Sequence, residues 1–479
     1  MNTTKRILAM LLAISCTMPL LACGKDKDDS SSSSFIANSI DEEERSAISD
    51  IANQEGIDDM LTYDTLENKT VKWMANWDIN PDATGKAESI ELTLFQEKYD
   101  GVIEYHPVDW ETRYDSLATA IVGGEGIDFF PAGDMDAFPK GAIKGMFVPV
   151  DDYVDFSTEL WEDVQDANDS LLWNGNHYII CTEVTGDNCA IIYNKSTIAD
   201  AGLTDPAELL ASGDWTWDTF YEMMDAFADP ENGYYGIDGY WTEAALSLTT
   251  GVPYVGLEDG VLVNNLKDSS IERVNTLMYD MYTNSLILNR ADFNWEVQPQ
   301  FIGEGKTLFY PCGLWTLFRA QDQWSAEFGE DVFFVPMPAD PEADEHYIPA
   351  GLDGFVMCKN GSNPEGVIAF AECKRLALMD ESAQEIGATK LKEEYGWTDE
   401  MIEMKATMQE IAQENPVFDF YKCVTADLTT VLDSEQTGIR ASLSGGILWS
   451  ETMNNCYDFV DTVVNETNAN PLQTSDSFN

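Results

Sequence analysis

The order of apolar patterns between residues 70 and 133 constrains the fold more than any other feature. "TVKWMAN" predicts a strand, and the segment ending in "LTLFQEKYDG" predicts a helix, because Leu92, Phe95 and Tyr99 fall on one face. "VIEYHPV" predicts a second strand, "DWETRYDSLATAIVGG" a second helix and "IDFFPAG" a third strand. This β-α-β-α-β order indicates an α/β fold with a parallel sheet and right-handed crossovers. Ligands of such sheets bind at the carboxyl ends of the strands.

The rest of the chain continues the α/β pattern and is long enough for two domains. "HYIICTEV" and "CAIIYNK" predict adjacent strands, and "GDWTWDTFYEMMDAFA" predicts a capped helix. "KTLFYPCG", "VFFVPMP" and "GFVMCKN" predict later strands. From Pro364 onward the pattern is mostly helical. The roughly 455 residues that follow the leader are enough for two domains or for one large bilobed fold.

The amino terminus has the features of a secretory signal. Lys5 and Arg6 precede an apolar run over residues 7–21, which is shorter than the ~20 or more apolar residues of a spanning helix. The leucine, alanine and cysteine at 20, 22 and 23 resemble a bacterial lipobox, in which the cysteine is acylated after cleavage. We predict a signal peptide at 1–22 and lipidation of Cys23. The alternative is an ordinary signal peptide cleaved nearby, with no role for the cysteine.

A flexible tether is expected after Cys23. "GKDKDD" and five serines have nothing to bury, and residues 40–62 predict a short acidic helix to which the sequence assigns no role. We assign residues 23–67 to the lipid anchor and a flexible acidic, serine-rich linker. The chain is then exported and held at the outer face of the bacterial cell membrane.

Charge and cysteine usage exclude several classes of partner. The 26 basic and 86 acidic residues give a net charge of −60, which repels nucleic acid and anionic lipid. Seven cysteines follow the leader and Cys23, none in C-x-x-C spacing, and the chain has three histidines, so we expect no metal site and no cofactor. Cys181 and Cys189 form a disulfide only if their strands are adjacent.

Motifs for catalysis are absent from the sequence. "GEGKT" at 303–307 resembles the end of a phosphate-binding loop, but Gln300 stands where its first glycine is required, and a strand pattern follows instead of a helix. No G-x-S-x-G or H-E-x-x-H motif occurs. With 86 acidic residues, no single carboxylate pair is evidence for glycoside hydrolysis. We assign no catalytic residue and expect no enzymatic activity.

Tryptophans beside polar or turn residues are the best candidates for ligand contact. Trp77 lies in "NWD", Trp241 in "DGYWTE", Trp295 in "DFNWE" and Trp315 in "PCGLW". Flat rings beside hydrogen-bonding groups suit ligands with an apolar face and a polar edge, such as pyranose sugars. The alternative for each ring is a position in the core. We expect that alternative for Trp110, which lies on an apolar helix stripe.

Four stretches together resemble a known family. They are "LFQEKYDGVIEYHPVDWETRYDSLATAIVGGEGIDFF", "AIIYNKSTIADAG" followed by "WTWDTF", "FIGEGKTLFYPCGLW" and "GFVMCKNGSNPEGVIAFAECKRL". In order and spacing the chain from about residue 68 resembles an extracellular solute-binding lipoprotein of an ABC importer, in the carbohydrate-binding group that includes maltose-binding protein. The resemblance implies a type II periplasmic-binding-protein-like fold. Each lobe would be a mainly parallel sheet flanked by helices, with hinge strands between the lobes and the ligand in the cleft.

The resemblance also implies lobe boundaries and contact residues. The first lobe is expected at 68–182 and 308–380, and the second at 188–305 and 381–479. One departure is Ile127 in "GEGID", where the family often has proline, and it affects the loop that follows. The implied substrate-binding residues, with Trp295 added from its local sequence, are Trp77, Asp78, Asp134, Asp187, Trp241, Trp295, Trp315 and Asp353. Asp353 is expected in the "AGLDGF" loop facing the cleft.

The function implied is capture of a sugar or oligosaccharide and its delivery to the transmembrane subunits of an ABC permease. We expect a monomer that binds carbohydrate and does no chemistry. Two alternatives stay open: the same fold binding a polyamine or peptide, and a surface-anchored glycoside hydrolase.

Overall fold

A computed structural model describes residues 42–81, 88–133, 137–239, 241–317 and 327–472. The strands are β1 Thr70–Ala75, β2 Val102–Pro107, β3 Phe129–Pro131, β4 Ile179–Thr185, β5 Ala190–Asn194, β6 Tyr235–Ile237, β7 Val255–Glu258, β8 Val261–Asn264, β9 Thr307–Cys312, β10 Val332–Pro336 and β11 Gly351–Met357. The α-helices are α1 Glu42–Ala52, α2 Ile57–Met60, α3 Ile90–Tyr99, α4 Arg113–Gly123, α5 Lys140–Ile143, α6 Gln165–Ser170, α7 Lys195–Asp200, α8 Pro206–Ser212, α9 Trp217–Phe227, α10 Thr242–Leu248, α11 Ser269–Thr283, α12 Gln300–Gly303, α13 Pro364–Met379, α14 Glu381–Tyr395, α15 Asp399–Glu414, α16 Ala426–Leu432, α17 Ala441–Gly445 and α18 Trp449–Ala469.

The first lobe contains a five-stranded sheet in the order β2-β1-β3-β11-β4. Strand β1 pairs in parallel with β2 and β3, which confirms the β-α-β-α-β prediction. Strand β11 is antiparallel to both β3 and β4. Strand β4 therefore runs in the same direction as β1, β2 and β3, and only β11 is reversed, which confirms the expectation of a mainly parallel sheet. The reversed strand is the one that enters this lobe from the second lobe, so it runs against the strands that lead towards that lobe.

The second lobe contains a four-stranded sheet in the order β10-β5-β9-β6 and the hairpin β7-β8. Strand β5 is antiparallel to β9 and β10, and β6 is parallel to β9. Strands β9 and β10 fall within the segment 308–380 expected in the first lobe, yet both pair in this sheet. The return to the first sheet occurs at Gly351, which corrects that boundary.

Residues 42–67 pack on the first lobe and are not a flexible linker. Ile48 and Ile51 of α1 are buried, and α1 contacts α3 and α14. Arg45 pairs with Glu88 at 3.0 Å and Glu97 at 2.7 Å. One face of α1 carries apolar side chains that become buried, although the composition of the segment is acidic overall. For this reason composition alone predicted a linker. The contact with α14 also places that helix on the first lobe rather than in the expected second-lobe segment 381–479.

Apolar cores lie on both faces of the first sheet, as the two-residue period of a strand requires. Val71, Trp73 and Phe129 are buried on one face with Phe370 of α13, and Phe130 is buried on the other face. All seven described cysteines are buried and free, so Cys181 and Cys189 are not paired. Across the described ranges, every helix is too short or too polar to cross a membrane.

Candidate functional site

Two sheet edges meet where the chain crosses between the lobes. Strand β4 ends at Thr185, which pairs with Gly351 at the start of β11. Strand β5 begins at Ala190, which pairs with Cys312 at the end of β9. Only residues 186–189 separate β4 from β5, so these edges lie close together at the crossing. The carboxyl ends of β1, β2 and β3 lie on this same edge of the first sheet, because the three strands are parallel and β3, like β4, ends near the start of the antiparallel β11. We call the space between the two edges the candidate cleft.

Two tryptophans lie side by side on the second-lobe edge of the candidate cleft. Strands β6 and β9 are parallel neighbours, with Ile237 opposite Phe309. Trp241 follows the end of β6, and Trp315 follows the end of β9. Their ring centroids are 6.5 Å apart at an interplanar angle of 71°. The residues are 38% and 45% exposed, so two large rings reach solvent at the strand ends where ligands of α/β sheets bind.

The turn before Trp315 leaves space for its ring and joins it to the hinge. A Cβ atom on Gly313 would lie 2.4 Å from Cδ1 of Trp315 and 3.0 Å from the carbonyl oxygen of Asn188. The backbone N–H of Leu314 donates to the carbonyl oxygen of Asp187 at 3.0 Å. The half-buried Asp187 therefore lies in the crossing segment directly beside the Trp315 turn.

Trp77 and Asp78 follow β1 on the first-lobe edge. The indole N–H of Trp73 donates to the carbonyl oxygen of Trp77 at 3.0 Å, and the two rings are 5.5 Å apart. Asp78 accepts from the backbone N–H and the side-chain amide of Asn80, each at 2.9 Å. Trp77 is 42% exposed. Its ring and a fixed carboxylate are thus presented together at the end of a central strand.

Trp110 lies at the surface, so its assignment to the core is wrong. It begins a 3₁₀ turn, Trp110–Thr112, that precedes α4, and therefore falls outside the apolar stripe of that helix. The guanidinium carbon of Arg113 lies 3.5 Å from the Trp110 ring centroid, a cation–π contact. Because the turn follows β2, Trp110 is a further aromatic side chain at the first-lobe edge. The sequence feature that could have predicted this position is the Asp109–Trp110 pair, which follows the strand pattern of β2.

Asp353 does not lie in a loop facing the candidate cleft. It belongs to β11, opposite Glu183 of β4, and its carboxylate pairs with Lys374 of α13. Glu183 accepts from the side-chain amide of Gln409 at 3.1 Å. Burial raises the pKa of Glu183 to about 7. These groups form a charged cluster against α13 and α15, where Asp353 is already paired. Asp134 lies outside the described residues.

Trp295 lies in a loop that is attached to the Trp241 segment. The carboxylate of Asp238, directly after β6, accepts from Arg290 Nε at 3.1 Å and from the Gln298 backbone N–H at 2.6 Å. Burial raises the pKa of Asp238 above its ordinary value despite the adjacent guanidinium. The side chain of Asp238 is almost fully buried, so the carboxylate is a fixed structural link between the two loops.

The predicted site residues belong to no metal-binding group, and they do not line the best-formed cavity of the described chain. Within the described part of the chain, no group of three or more His, Cys, Asp or Glu side chains is placed to hold a metal ion. A cavity of about 190 Å³ lies between Leu171, Pro253 and Phe418. None of the predicted site residues lines that cavity, and the candidate cleft is open to solvent at its tryptophans.

A family model described as "Bacterial extracellular solute-binding protein" matches residues 80–373, more than half of the chain. This chain belongs to that family. The solute-binding protein is 24% identical over 275 residues to the maltotriose-binding protein of Pyrococcus abyssi. That alignment covers 55% of this chain, and it spans about half of the relative, 54% of its length.

Solved structures show the same fold as this solute-binding protein. An ABC substrate-binding protein from Listeria monocytogenes in complex with cycloalternan gives a TM-score of 0.58 at 16% identity, covering 84% of this chain and 100% of its own. A sugar-binding protein from Xanthomonas citri gives a TM-score of 0.58 at 14% identity, covering 83% of this chain and 98% of its own. These similarities establish the type II periplasmic-binding-protein-like fold. Family membership makes this an exported solute-binding protein.

Proposed function

We propose that this protein is the substrate-binding lipoprotein of an ABC transporter and captures a sugar or oligosaccharide between its lobes. The observation that supports this most directly is the Trp241–Trp315 pair at the carboxyl ends of two parallel strands beside the hinge. A pyranose ring has an apolar C–H face and a polar rim, and exposed indoles bind the face. The maltotriose-binding relative and the sugar-bound neighbours support the same ligand class.

Carboxylates near the tryptophans complete the proposed site. Asp187 lies beside the Trp315 turn, and Asp78 lies beside Trp77 on the opposite edge. Carboxylates accept hydrogen bonds from hydroxyl groups, which fixes the orientation of a sugar whose faces are covered by rings. Asp134 belongs to the proposed site by its place after β3. Asp353 is left out of the proposed site, because it lies within β11 and pairs with Lys374.

Ligand capture in this proposal is a hinge closure of two lobes. Among the described residues, those within 42–185 and 351–395 build the first lobe, and those within 190–336 and 399–472 build the second. The rotation is absorbed where the chain crosses between the lobes: at 186–189, directly before Gly351 and at 396–398. The protein then acts by binding and release, as a monomer without a cofactor, and delivers its ligand to a membrane permease.

The proposed location is the outer face of the bacterial cell membrane. A signal peptide at 1–22 would be removed and Cys23 would carry the lipid. Residues 24–41 would form the tether, because the first lobe already begins at α1. This makes the tether shorter than the linker to residue 67 expected from the sequence.

The test is a binding screen of the purified protein against oligosaccharides, polyamines and peptides by thermal shift. A ligand at 100 times its dissociation constant should stabilise the protein by ~2.7 kcal/mol. Trp315→Ala should cost ~2 kcal/mol of binding, about thirtyfold in affinity, without changing the melting temperature of the free protein. Phe459→Ala is the control, since Phe459 is an exposed aromatic on α18.

Three outcomes would contradict the proposal. Stabilisation by polyamines or peptides alone would reject the sugar ligand. Release of shorter sugars during long incubation would indicate a hydrolase. A large fall in the melting temperature of Trp315→Ala with full affinity retained would make Trp315 a structural residue.

A further inference from the structure

Three connections between the lobes meet beside one carboxyl group of the first lobe. Glu183 lies in β4, shortly before the crossing segment 186–189. Asp353, which lies opposite it in β11, comes shortly after the chain has returned to this lobe. Helix α15 follows the third crossing at 396–398, and it contacts β4 as well as β10 of the second sheet. A rotation of the lobes therefore takes place directly around Glu183.

Gln409 of α15 joins the second lobe to the end of β4. Its side-chain amide donates to Oε1 of Glu183 at 3.1 Å and to the carbonyl oxygen of Val184. Its own oxygen accepts from the backbone N–H of Gly186 at 3.4 Å. A Cβ atom on Gly186 would lie 2.2 Å from the carbonyl oxygen of Met408, so the backbone of α15 lies directly against the crossing segment. We call the contacts of Gln409 with Glu183, Val184 and Gly186 the hinge clamp.

The helix that carries the hinge clamp is fixed to the second lobe. Trp397, in the turn before α15, is 3% exposed. Its indole N–H donates to the carbonyl oxygen of Leu317 at 3.0 Å, and its ring centroid lies 5.4 Å from that of Phe334 in β10. A rotation of the second lobe therefore carries α15 with it. Because Glu183 belongs to the first sheet, the hinge clamp must change when the cleft closes.

Groups of both charges surround Glu183. The side chains that face it are Lys405 of α15, Asp353 of β11, Lys374 and Arg375 of α13, and Asp187 of the crossing segment. The lysines favour the ionised carboxylate and the aspartates oppose it, but burial is the strongest effect and raises the pKa of Glu183 to about 7. An ordinary glutamate has a pKa of ~4.3. The clamped arrangement therefore favours the protonated acid, whose carbonyl oxygen still accepts from Gln409.

The candidate cleft is open to solvent while the hinge clamp is in place, since Trp315 and Trp241 are 45% and 38% exposed. We infer that Gln409 and Glu183 are positioning residues that hold the lobes in this open arrangement, and that a proton on Glu183 weakens ligand binding. This rests on the proposed function. Closing the cleft breaks the hinge clamp, hydrates the carboxyl group and releases its proton to solvent. Affinity should therefore fall as the pH decreases through about 7.

Isothermal titration calorimetry of the full exported chain at pH 6 and pH 8 tests this coupling. The probes are malto-, cello- and xylo-oligosaccharides of two to six units, and the one that binds most tightly is used throughout. Its affinity for the wild type should be up to about tenfold higher at pH 8, because the clamped carboxyl group is mostly protonated at pH 6 and mostly ionised at pH 8. Titrations in two buffers of different ionisation enthalpy should show proton release on binding at pH 6 and little release at pH 8.

Three variants separate the hinge clamp from a general effect of buried carboxyl groups. Glu183→Gln still accepts from Gln409 but cannot ionise, so it should bind at both pH values as weakly as the wild type does at pH 6, without proton release. Gln409→Ala lacks the clamp and should bind more tightly than the wild type at pH 6. Glu372→Gln is the matched control, because burial also raises the pKa of Glu372 to about 7 but its partner is Thr62. It should keep the wild-type dependence of affinity on pH.

The inference would be overturned by a wild-type affinity that is equal at the two pH values or higher at pH 6. An unchanged pH dependence in Glu183→Gln would also overturn it. If no probe binds, the proposed sugar ligand is rejected, and small-angle scattering of the free protein then tests the hinge clamp alone. The wild type should be more compact at pH 8 than at pH 6, and Glu183→Gln should be the same at both. Equal dimensions of the wild type at the two pH values would show that Glu183 does not control the lobes.

Discussion

The ring of Trp315 covers the α-carbon of Gly313, leaving no space for a methyl group between them. A Cβ atom at position 313 would meet Cδ1 of Trp315 at 2.4 Å and Nε1 at 2.6 Å. The glycine thus supports the proposed binding surface, because it permits the position that the indole occupies. The Asn188 carbonyl oxygen on the other side, at 3.0 Å, leaves the methyl group no alternative.

Gly313→Ala should therefore weaken sugar binding without removing any contact group. We expect a loss of about tenfold, or ~1.4 kcal/mol, because the added methyl group displaces the Trp315 ring from the position at which it would contact the sugar. Calorimetric titration with the best ligand of the screen measures the loss. Gly387→Ala in α14 is the matched control, since the nearest atom to its new Cβ is 3.8 Å away. Wild-type affinity in Gly313→Ala would show that the Trp315 ring has another acceptable position.

The sequence predicted the elements well because their signals are local. The β1-α3-β2-α4-β3 unit follows from apolar periodicity alone, and the pairing of β1 with β2 and β3 confirms it. Lobe membership is different, because it depends on which strands pair across long separations. Nothing near β9 shows that Cys312 lies opposite Ala190. The same limit explains the error for residues 42–67, whose helix α1 packs against α3 and α14, elements that are distant in sequence.

The candidate site was predictable where a side chain directly follows a strand. Trp77, Trp241 and Trp315 each occupy a turn after a β-strand, and all three are at least 38% exposed. Asp353 was predicted in a loop because the sequence around it resembles a turn. In the structure the strand continues through Gly354, which lies opposite Cys181 after a register shift at Asp353. A Cβ atom at 354 would lie 2.4 Å from the Ile180 carbonyl oxygen. The glycine thus marks a close strand approach and not a loop.

The Asp238–Arg290 link should contribute more to stability than an exposed ion pair. Arg290→Met leaves a nearly fully buried carboxylate with only its backbone donors, which costs about 1–3 kcal/mol. Lys69→Met is the matched control, because both side chains of the Lys69–Asp100 pair are exposed, at 48% and 83%, and solvent screens their interaction, so its loss should change stability little. Urea denaturation measures both. Equal effects of the two substitutions would show that the buried link is no stronger than a surface pair.

The lipid anchor is tested by Cys23→Ala. Acylation needs the thiol, so the variant should appear in the culture medium and should not incorporate labelled fatty acid. Cys456→Ala is the control, because Cys456 is a buried residue of α18 and should leave labelling unchanged. Membrane association of Cys23→Ala equal to that of the wild type would mean that the protein is held by something other than this cysteine.

Three buried carboxyl groups give the protein an unusual dependence of stability on pH. Burial raises the pKa of Glu183 and of Glu372 to about 7, and that of Asp419 to about 6. Glu372 accepts from the backbone N–H and the hydroxyl group of Thr62, yet burial dominates. His346 opposes this trend, because burial lowers its pKa, so below about pH 6.5 the unfolded chain binds a proton that the folded protein releases more readily.

The free energy of unfolding should therefore fall as pH rises from about 5 to about 7.5. In that window the folded protein still holds protons on Glu183 and Glu372 that the unfolded chain has lost, so each group contributes a slope of up to about −1.4 kcal/mol per pH unit. Urea denaturation at half-unit pH steps measures it. Glu372→Gln should flatten the slope, whereas Glu410→Gln, at an exposed position of α15, should not. A stability that rises with pH across this window would show that both carboxyl groups are ionised in the folded protein.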